Sequence, residues 1–366
     1  MLIDNVTRLD TNISKVVNRM VDRFTYRRRI RISNSGSSLT DYQVKVTVDT
    51  SQPIREGIMR SDAGDIRFYG CNYWIEGGVN TSSTVIWVKV PNIISNGETV
   101  VYMYYGNPDA VSESNIEDVY DFYDDFSTDP NTNGKWIVFR HQKDTSTEFV
   151  WDSTNKFVYL IKPAQSRGVA AFLNISETFD TGFYAKFKIW SGTSTGDGIS
   201  FAFYKDIQPY QTYNDTTAGG RLALDAYDGT NPVQAKGYDV EFDEYDNGDN
   251  DLSAPHIAVT ETHSSEGVQD NTHYGGTSTN FHDGAWHTVE VYFDKNGNHI
   301  IVYFDGSKII DFSGEPFSTY GYPYSYMAFT SATGAGTNEE RLDDVYVRKF
   351  ADPEPTVTVE EQTYIG

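Results

Sequence analysis

Val240-Glu241-Phe242-Asp243-Glu244-Tyr245-Asp246-Asn247 is the stretch on which the reading of this chain turns. Successive side chains of a strand point to opposite faces. Glu241, Asp243 and Tyr245 therefore share one face, and Phe242 points the other way, into a core. Two carboxylates on one face of one strand repel unless a cation or a proton lies between them. Gly248, Asp249, Asn250 and Asp251 follow as a turn-prone, oxygen-rich loop, and Pro255-His256-Ile257-Ala258-Val259 starts a returning strand. The segment thus offers carboxylates, an amide oxygen, a backbone carbonyl and one imidazole. Hard Ca2+ takes oxygen ligands, whereas a site that adds imidazole suits a transition ion such as Mn2+ or Zn2+. Shared carboxylates would let the segment supply both. An acidic turn that binds no metal is the alternative.

The surrounding chain reads as mostly β. Of its 366 residues 26 are Tyr and 21 are Phe, and aromatic and β-branched residues favour pleated surfaces. The length fits two domains, each with its own core. The formal net charge of −23 argues against nucleic acid or an anionic membrane as partner. It is compatible with cation binding and with life in high salt. Cys71 is the single cysteine, so no intrachain disulfide forms. No apolar run approaches the ~20 residues of a membrane span, so membrane insertion is not expected.

Leu2, Val6, Leu9, Ile13, Val16 and Met20 follow an a/d heptad spacing with polar residues between them. This predicts a helical, coiled-coil-like segment over residues 1–24 that pairs with copies of itself as a dimer or trimer. An amphipathic helix packed on the chain's own sandwich is the alternative. The opening MLIDNVTRLDTN lacks a basic region followed by an apolar one, so no signal peptide is expected.

Residues 25–120 predict a smaller N-terminal β-sandwich. YRRRIRISN, YQVKVTVD, DIRFYG, TVIWVKVP and TVVYMYYG are strand-like runs between turn signals such as Asn34-Ser35-Gly36 and Asn96-Gly97. Together with Tyr73-Trp74-Ile75-Glu76 and Gly106-Asn107-Pro108, these runs resemble a β domain of unknown function common in archaeal and bacterial surface proteins. That resemblance implies surface display beside a sugar-binding domain and no chemistry of its own. The acidic stretch Asp118–Asp125 marks a linker, with a boundary near Asp121. Residues 121–350 form the second predicted domain. Residues 351–366 are a Pro-bearing tail, alternating from Thr356, that would add an edge strand.

Glu-x-Asp-x-Tyr-x-Asn, followed by Asp251 and then Pro255-His256-Ile257, resembles the metal-binding segment of the legume (L-type) lectins. Three further stretches in the same order strengthen the likeness. Gly196-Asp197-Gly198-Ile199-Ser200-Phe201-Ala202-Phe203 resembles the strand whose Asp receives sugar hydroxyls, with Gly196 where the family usually has Ala. Gly219-Gly220-Arg221-Leu222 resembles the Gly-rich loop whose N–H donates to sugar. Ala328-Phe329-Thr330-Ser331-Ala332-Thr333-Gly334 resembles the segment that opens the variable specificity loop.

The resemblance implies an all-β, concanavalin A-like jelly-roll sandwich. It implies Glu241, Asp243, Asp251 and His256 around a transition metal, Mn2+ by preference. Around Ca2+ it implies Asp243, the Tyr245 carbonyl, Asn247 and Asp251. The loop between Asn247 and His256 is one residue shorter than the family's, which leaves Asp249 as the alternative to Asp251. Asp197, Gly220, Tyr245, Asn247, Gly334 and Ala335 are the implied carbohydrate contacts. Asp197 would accept two charge-assisted bonds, Gly220 would let a sugar approach the backbone, and Tyr245 would stack on the ring.

These readings predict a non-enzymatic, metal-dependent lectin that recognises cell-surface glycans. The expected setting is a virion fibre or spike, of an archaeal virus if the acidic balance reflects a salt-loving host, with other virion proteins as neighbours. An extracellular or cell-surface protein is the alternative location. A purely structural virion or surface-layer protein on the same scaffold, and a glycoside hydrolase, are the alternative functions. The second would need two carboxyls roughly 5–5.5 Å apart, which here means Glu241 and Asp246 across a bulge. His263, His273, His282, His287 and His299 receive no role. The N-x-S/T triplets at Asn5, Asn12, Asn80, Asn174 and Asn214 are weak signals.

Overall fold

The computed structural model describes residues 24–176, 179–246, 252–262, 275–296, 298–314 and 326–366. The heptad segment lies outside them, and so does the oligomerising helix drawn from it. Among the described residues the α-helices are the short Ser51–Arg55 and Gln208–Tyr213, and none is long and apolar enough to cross a membrane. The rest is β-structure in two compact units, the chain up to Tyr120 together with Pro353–Gly366, and Asp121–Asp352.

The first unit contains a four-stranded and a three-stranded antiparallel sheet. In the four-stranded sheet Tyr26–Asn34 lies between Gly97–Tyr105 and Thr356–Tyr364, with Arg67–Phe68 beyond Gly97–Tyr105. The alternation of YRRRIRISN sends Ile30 and Ile32 inward at 0% exposure and Arg29 and Arg31 outward. In the three-stranded sheet Thr84–Ile93 lies between Leu39–Val48 and Asn72–Gly77. Val44, Val46, Ile86 and Val88 are buried there. The tail is thus an edge strand, and it completes a sheet whose other members come from the start of the chain.

The second unit is a sandwich of two large antiparallel sheets. One runs Ser307–Ser313, His299–Phe304, Trp286–Asp294, Gly182–Ser191, Glu340–Lys349, Phe157–Ile161 and Glu148–Asp152, with Phe122–Asp124 also pairing onto Glu340–Lys349. The other runs Gly276–Thr277, His256–Glu261, Lys236–Asp243, Gly198–Asp206, Tyr326–Thr333, Arg167–Leu173 and Trp136–Arg140. Alternating residues from both sheets form one large core. Phe183, Phe187, Val291 and Phe293 come from the first, and Phe201, Phe203, Phe242, Val259 and Phe329 from the second. The Phe187 and Phe329 rings meet edge-on with centroids 4.7 Å apart, and Phe187 lies 5.2 Å from Phe201. Such aromatic pairs contribute about 0.5–1.5 kcal/mol beyond the area they bury.

The seven-stranded sheet is buried on its other face too. Phe172, Ala202 and Tyr204 point away from the main core and meet Tyr210, Leu222, Leu224, Ala226 and Ala235. This second core draws the segment 207–226 over the sheet. The Tyr204 hydroxyl donates to the Leu224 carbonyl at 3.1 Å and the Tyr210 hydroxyl to the Ala223 carbonyl at 2.8 Å. Both phenols are fully buried, so unpaired hydroxyls there would be costly. The chain therefore folds as two β-sandwiches, the larger of the jelly-roll type.

Candidate metal and carbohydrate site

The ligand candidates are placed by strand register. Lys236–Asp243 pairs with His256–Glu261 so that Asp243 faces His256 directly and Glu241 faces Ala258. On the other side Gly198 faces Asp243 and Ser200 faces Glu241. Directly paired residues point to the same side of a sheet. Glu241, Asp243 and His256 therefore stand together on the face covered by the second core, while Phe242 enters the main one. All three are 1% exposed. His256 Nε2 lies 3.1 Å from Glu241 Oε1.

One ligand atom from each of these residues falls within 4.8 Å of the others. That span is about twice a metal–ligand bond of roughly 2.0–2.6 Å, so one ion can touch all three. Two carboxylates held this close in the interior are costly unless positive charge neutralises them. Oxygen and imidazole donors together suit a transition ion. The donor set therefore fits the metal that the sequence implies.

Tyr245 lies beyond the end of the strand, which stops at Asp243. Its N–H donates to Asp243 Oδ1 at 2.7 Å and its side chain is exposed. The turn after Asp243 thus presents the Tyr245 ring to solvent, and strand alternation does not set its direction. Asn247, Asp249 and Asp251 lie outside the described residues, so the rest of the implied calcium set is not described.

Of the carbohydrate candidates, Asp197 and Gly334 lie against each other. Asp197 is buried at 8% exposure. It precedes Gly198, the register partner of Asp243, and its carbonyl accepts the Glu244 N–H at 3.0 Å. Burial pushes the Asp197 carboxyl up to about 6, Glu244 adds to the rise, and the Gly334 N–H pulls the other way. A Cβ built on Gly334 would stand 3.3 Å from Asp197 Oδ2 and 3.5 Å from the Gly219 Cα. Three loops far apart in sequence thus meet at Asp197, Gly219 and Gly334.

Gly219–Arg221 forms one turn of 3-10 helix, with Gly219 at φ +69°. Leu222 anchors that turn in the second core, and Arg221 pairs with the buried Asp225 at 2.7 Å. Gly220 is the middle residue of the turn. The 334–336 loop is held by the Ser166 N–H, which donates to the Gly334 carbonyl at 2.8 Å, and by Gln165, which donates to the Ala335 carbonyl.

Two further buried carboxyls here were not singled out in the sequence. Asp239 is fully buried and accepts from Ser200 at 2.7 Å and Thr260 at 2.6 Å. It extends the acidic row of Glu241 and Asp243, and the same alternation that places those two would have placed it. Glu340 is also fully buried. Burial and then Glu244 hold its carboxyl well above the usual carboxylate range. No local motif announces Glu340, because Ser191 and Glu244, which act on its carboxyl, lie far from it in the chain.

A family model described as a domain of unknown function (DUF2341) matches residues 62–139. No curated protein matches. Among solved structures the chain is similar to the exoplasmic/lumenal domain of VIP36 in its Ca2+/Man3GlcNAc-bound form. Identity there is 14% and the TM-score 0.44, over 63% of this chain and 95% of that one. It is similar to basic winged bean lectin with Tn-antigen at 15% identity and TM-score 0.41, covering 62% and 100%. It is similar to the Lotus tetragonolobus seed lectin at 15% identity and TM-score 0.44, covering 66% and 98%.

Proposed function

We propose that the unit Asp121–Asp352 is a metal-dependent carbohydrate-binding module without catalytic activity. The observation that carries this reading is one juxtaposition. Asp197, Gly219 and Gly334 converge beside the buried group Glu241, Asp243 and His256.

Each part has a task in that reading. The Asp197 carboxylate accepts two sugar hydroxyls in charge-assisted bonds. Gly220 brings a backbone N–H close to the sugar, since it has no Cβ to hold the ring away. Gly334 and Ala335 approach the sugar from the loop beside Asp197. Tyr245 stacks on the apolar face of the ring, and its 48% exposure leaves it available. Asn247 donates its amide to the sugar in this scheme. Ca2+ together with a transition ion, Mn2+ by preference, would be held by Glu241, Asp243, the Tyr245 carbonyl, Asn247, Asp251 and His256, and would fix this loop before sugar arrives. Hydrolysis by Glu241 and Asp246 is disfavoured because Glu241 is buried against the His256 imidazole, where a glycosidic oxygen does not reach.

We extend the proposal to the setting. The heptad spacing of residues 2–20 supports a homo-oligomer, dimer or trimer, that displays the module on a virion surface toward host glycans. Purified particles labelled with an antibody to residues 121–350 would test that setting. The module itself is tested by glycan-array binding with and without EDTA. Binding lost to EDTA and restored by Ca2+ with Mn2+ is the expected result. A protein of full metal content that binds no glycan would overturn the proposal.

A further inference from the structure

Beside the Glu241, Asp243 and His256 group lies a second polar cluster that shares no side chain with it. Its members are Ser191, Glu244, His282, Asn338 and Glu340. Asn338 is 1% exposed, Glu340 0%, and the Glu244 side chain 0%. The Asn338 amide donates to Glu244 Oε2 at 2.8 Å and to Glu340 Oε1 at 2.7 Å. A side-chain amide has two hydrogens, so each glutamate takes one. The Ser191 hydroxyl donates to Glu244, and His282 Nδ1 lies 3.3 Å from Glu244 Oε1.

The cluster ties together the segments that carry the candidate site. Glu244 follows Asp243, and its main-chain N–H holds the Asp197 carbonyl at 3.0 Å. Asn338 ends the loop that begins at Gly334, beside the Asp197 carboxyl. The fit between the segments leaves no room to spare. A Cβ on Gly196 would stand 2.7 Å from both Asn338 Cβ and Glu244 Oε2. A Cβ on Gly336 would collide with the Thr195 carbonyl. The 334–337 loop therefore rests on the 195–197 turn, and the Asn338 amide pins it there through Glu244.

We infer that Asn338, acting through Glu244, is a specificity-determining positioning residue that sets the place of the 334–337 loop relative to Asp197 and so selects which glycans fit. The inference rests on the carbohydrate-binding reading of this site. Asn338 itself is buried and touches no sugar. The metal group is fixed separately, by the register of Lys236–Asp243 with His256–Glu261. Loss of Asn338 should therefore change sugar selection and spare metal binding. A residue that only stabilised the fold would weaken all glycans alike.

The test uses the full chain on a glycan array at saturating Ca2+ and Mn2+, with metal content and melting temperature measured alongside. In Asn338→Ala the rank order of bound glycans should change and affinity for the preferred one should fall by roughly tenfold, the effect of one misplaced hydrogen bond to a charged group. Metal content should match the wild type. Gly336→Ala displaces the same loop at its contact with the Thr195 carbonyl, without touching either glutamate, so it stands in if Asn338→Ala does not fold. It should also reorder the array. Wild-type binding with an unchanged ranking in the folded variants would overturn the inference alone. A wild-type protein that binds no glycan would remove the carbohydrate reading and this inference with it.

Discussion

Asp243 and His256 are direct partners across two antiparallel strands, and Glu241, two residues before Asp243, reaches the same imidazole. The donor geometry is thus fixed by backbone pairing. His256→Ala should leave the sheet intact and lower affinity for the transition ion by roughly 100-fold or more, since even outer-shell changes cost 10–100-fold. Equilibrium dialysis with Mn2+ measures it. Unchanged Mn2+ affinity in a folded variant would remove His256 from the ligand set.

Metal removal should destabilise the protein. An ion at 100 times its dissociation constant stabilises by about 2.7 kcal/mol, worth roughly 5–10 °C in a domain of this size. Thermal unfolding in EDTA should show that fall for the transition that exposes the Asp121–Asp352 unit, and Ca2+ with Mn2+ should reverse it. A melting temperature indifferent to EDTA in protein first shown to carry metal would contradict the prediction.

Asp197 carries a pH dependence whose two halves have opposite sign. Burial pushes its carboxyl up to about 6 in the folded protein, above the ordinary aspartate value of about 3.8. Glycan binding needs the charged form, so affinity should fall on acidification, with a midpoint at or below about 6, because a nearby bound cation favours the carboxylate. Stability runs the other way. The folded state holds this proton more tightly than the unfolded chain, so the contribution is fully present below about 3.8 and lost as pH rises through about 6. Asp197→Asn should bind no glycan, and its stability relative to wild type should improve from about pH 4 to about pH 8. Urea titrations at both pH values decide it, and parallel pH profiles would refute it.

Gly198→Ala tests the coupling of backbone to site. Gly198 has φ +132°, and a Cβ there would strike the Phe242 carbonyl. The strained backbone alone costs of order 1–3 kcal/mol. Because Gly198 pairs with Asp243, the variant should also weaken metal binding. Phe201→Ala, by contrast, should cost about 3–5 kcal/mol in the core with metal affinity retained in the folded fraction. Chemical denaturation and metal titration of the two variants separate these effects.

Much of the site could be read from the sequence wherever alternation governs it. Glu241 and Asp243 share a face because they lie two apart on one strand, and Phe242 is buried for the same reason. The rule stops at Asp243, where the strand ends, and so it does not set the direction of Tyr245. Several strands of the first unit, Tyr26–Asn34 among them, also follow local pattern. The second core escaped reading, because Gln208–Tyr213 and Leu222 acquire their apolar partners only when a loop folds back over a sheet. Asn338 escaped for a like reason. Its neighbours Ser191, Glu244 and His282 are between 56 and 147 positions away, and no spacing links them.

The pairing of Thr356–Tyr364 with Tyr26–Asn34 makes the glycan-binding candidate an insertion into another domain's chain. A stop codon at position 353 would spare every residue of the inserted module and leave its host short of a strand. The exposed edge of Tyr26–Asn34 would then be open to pairing with other chains. Frameshifts late in the gene would thus produce aggregation from the first unit, with the coding sequence of the binding module intact.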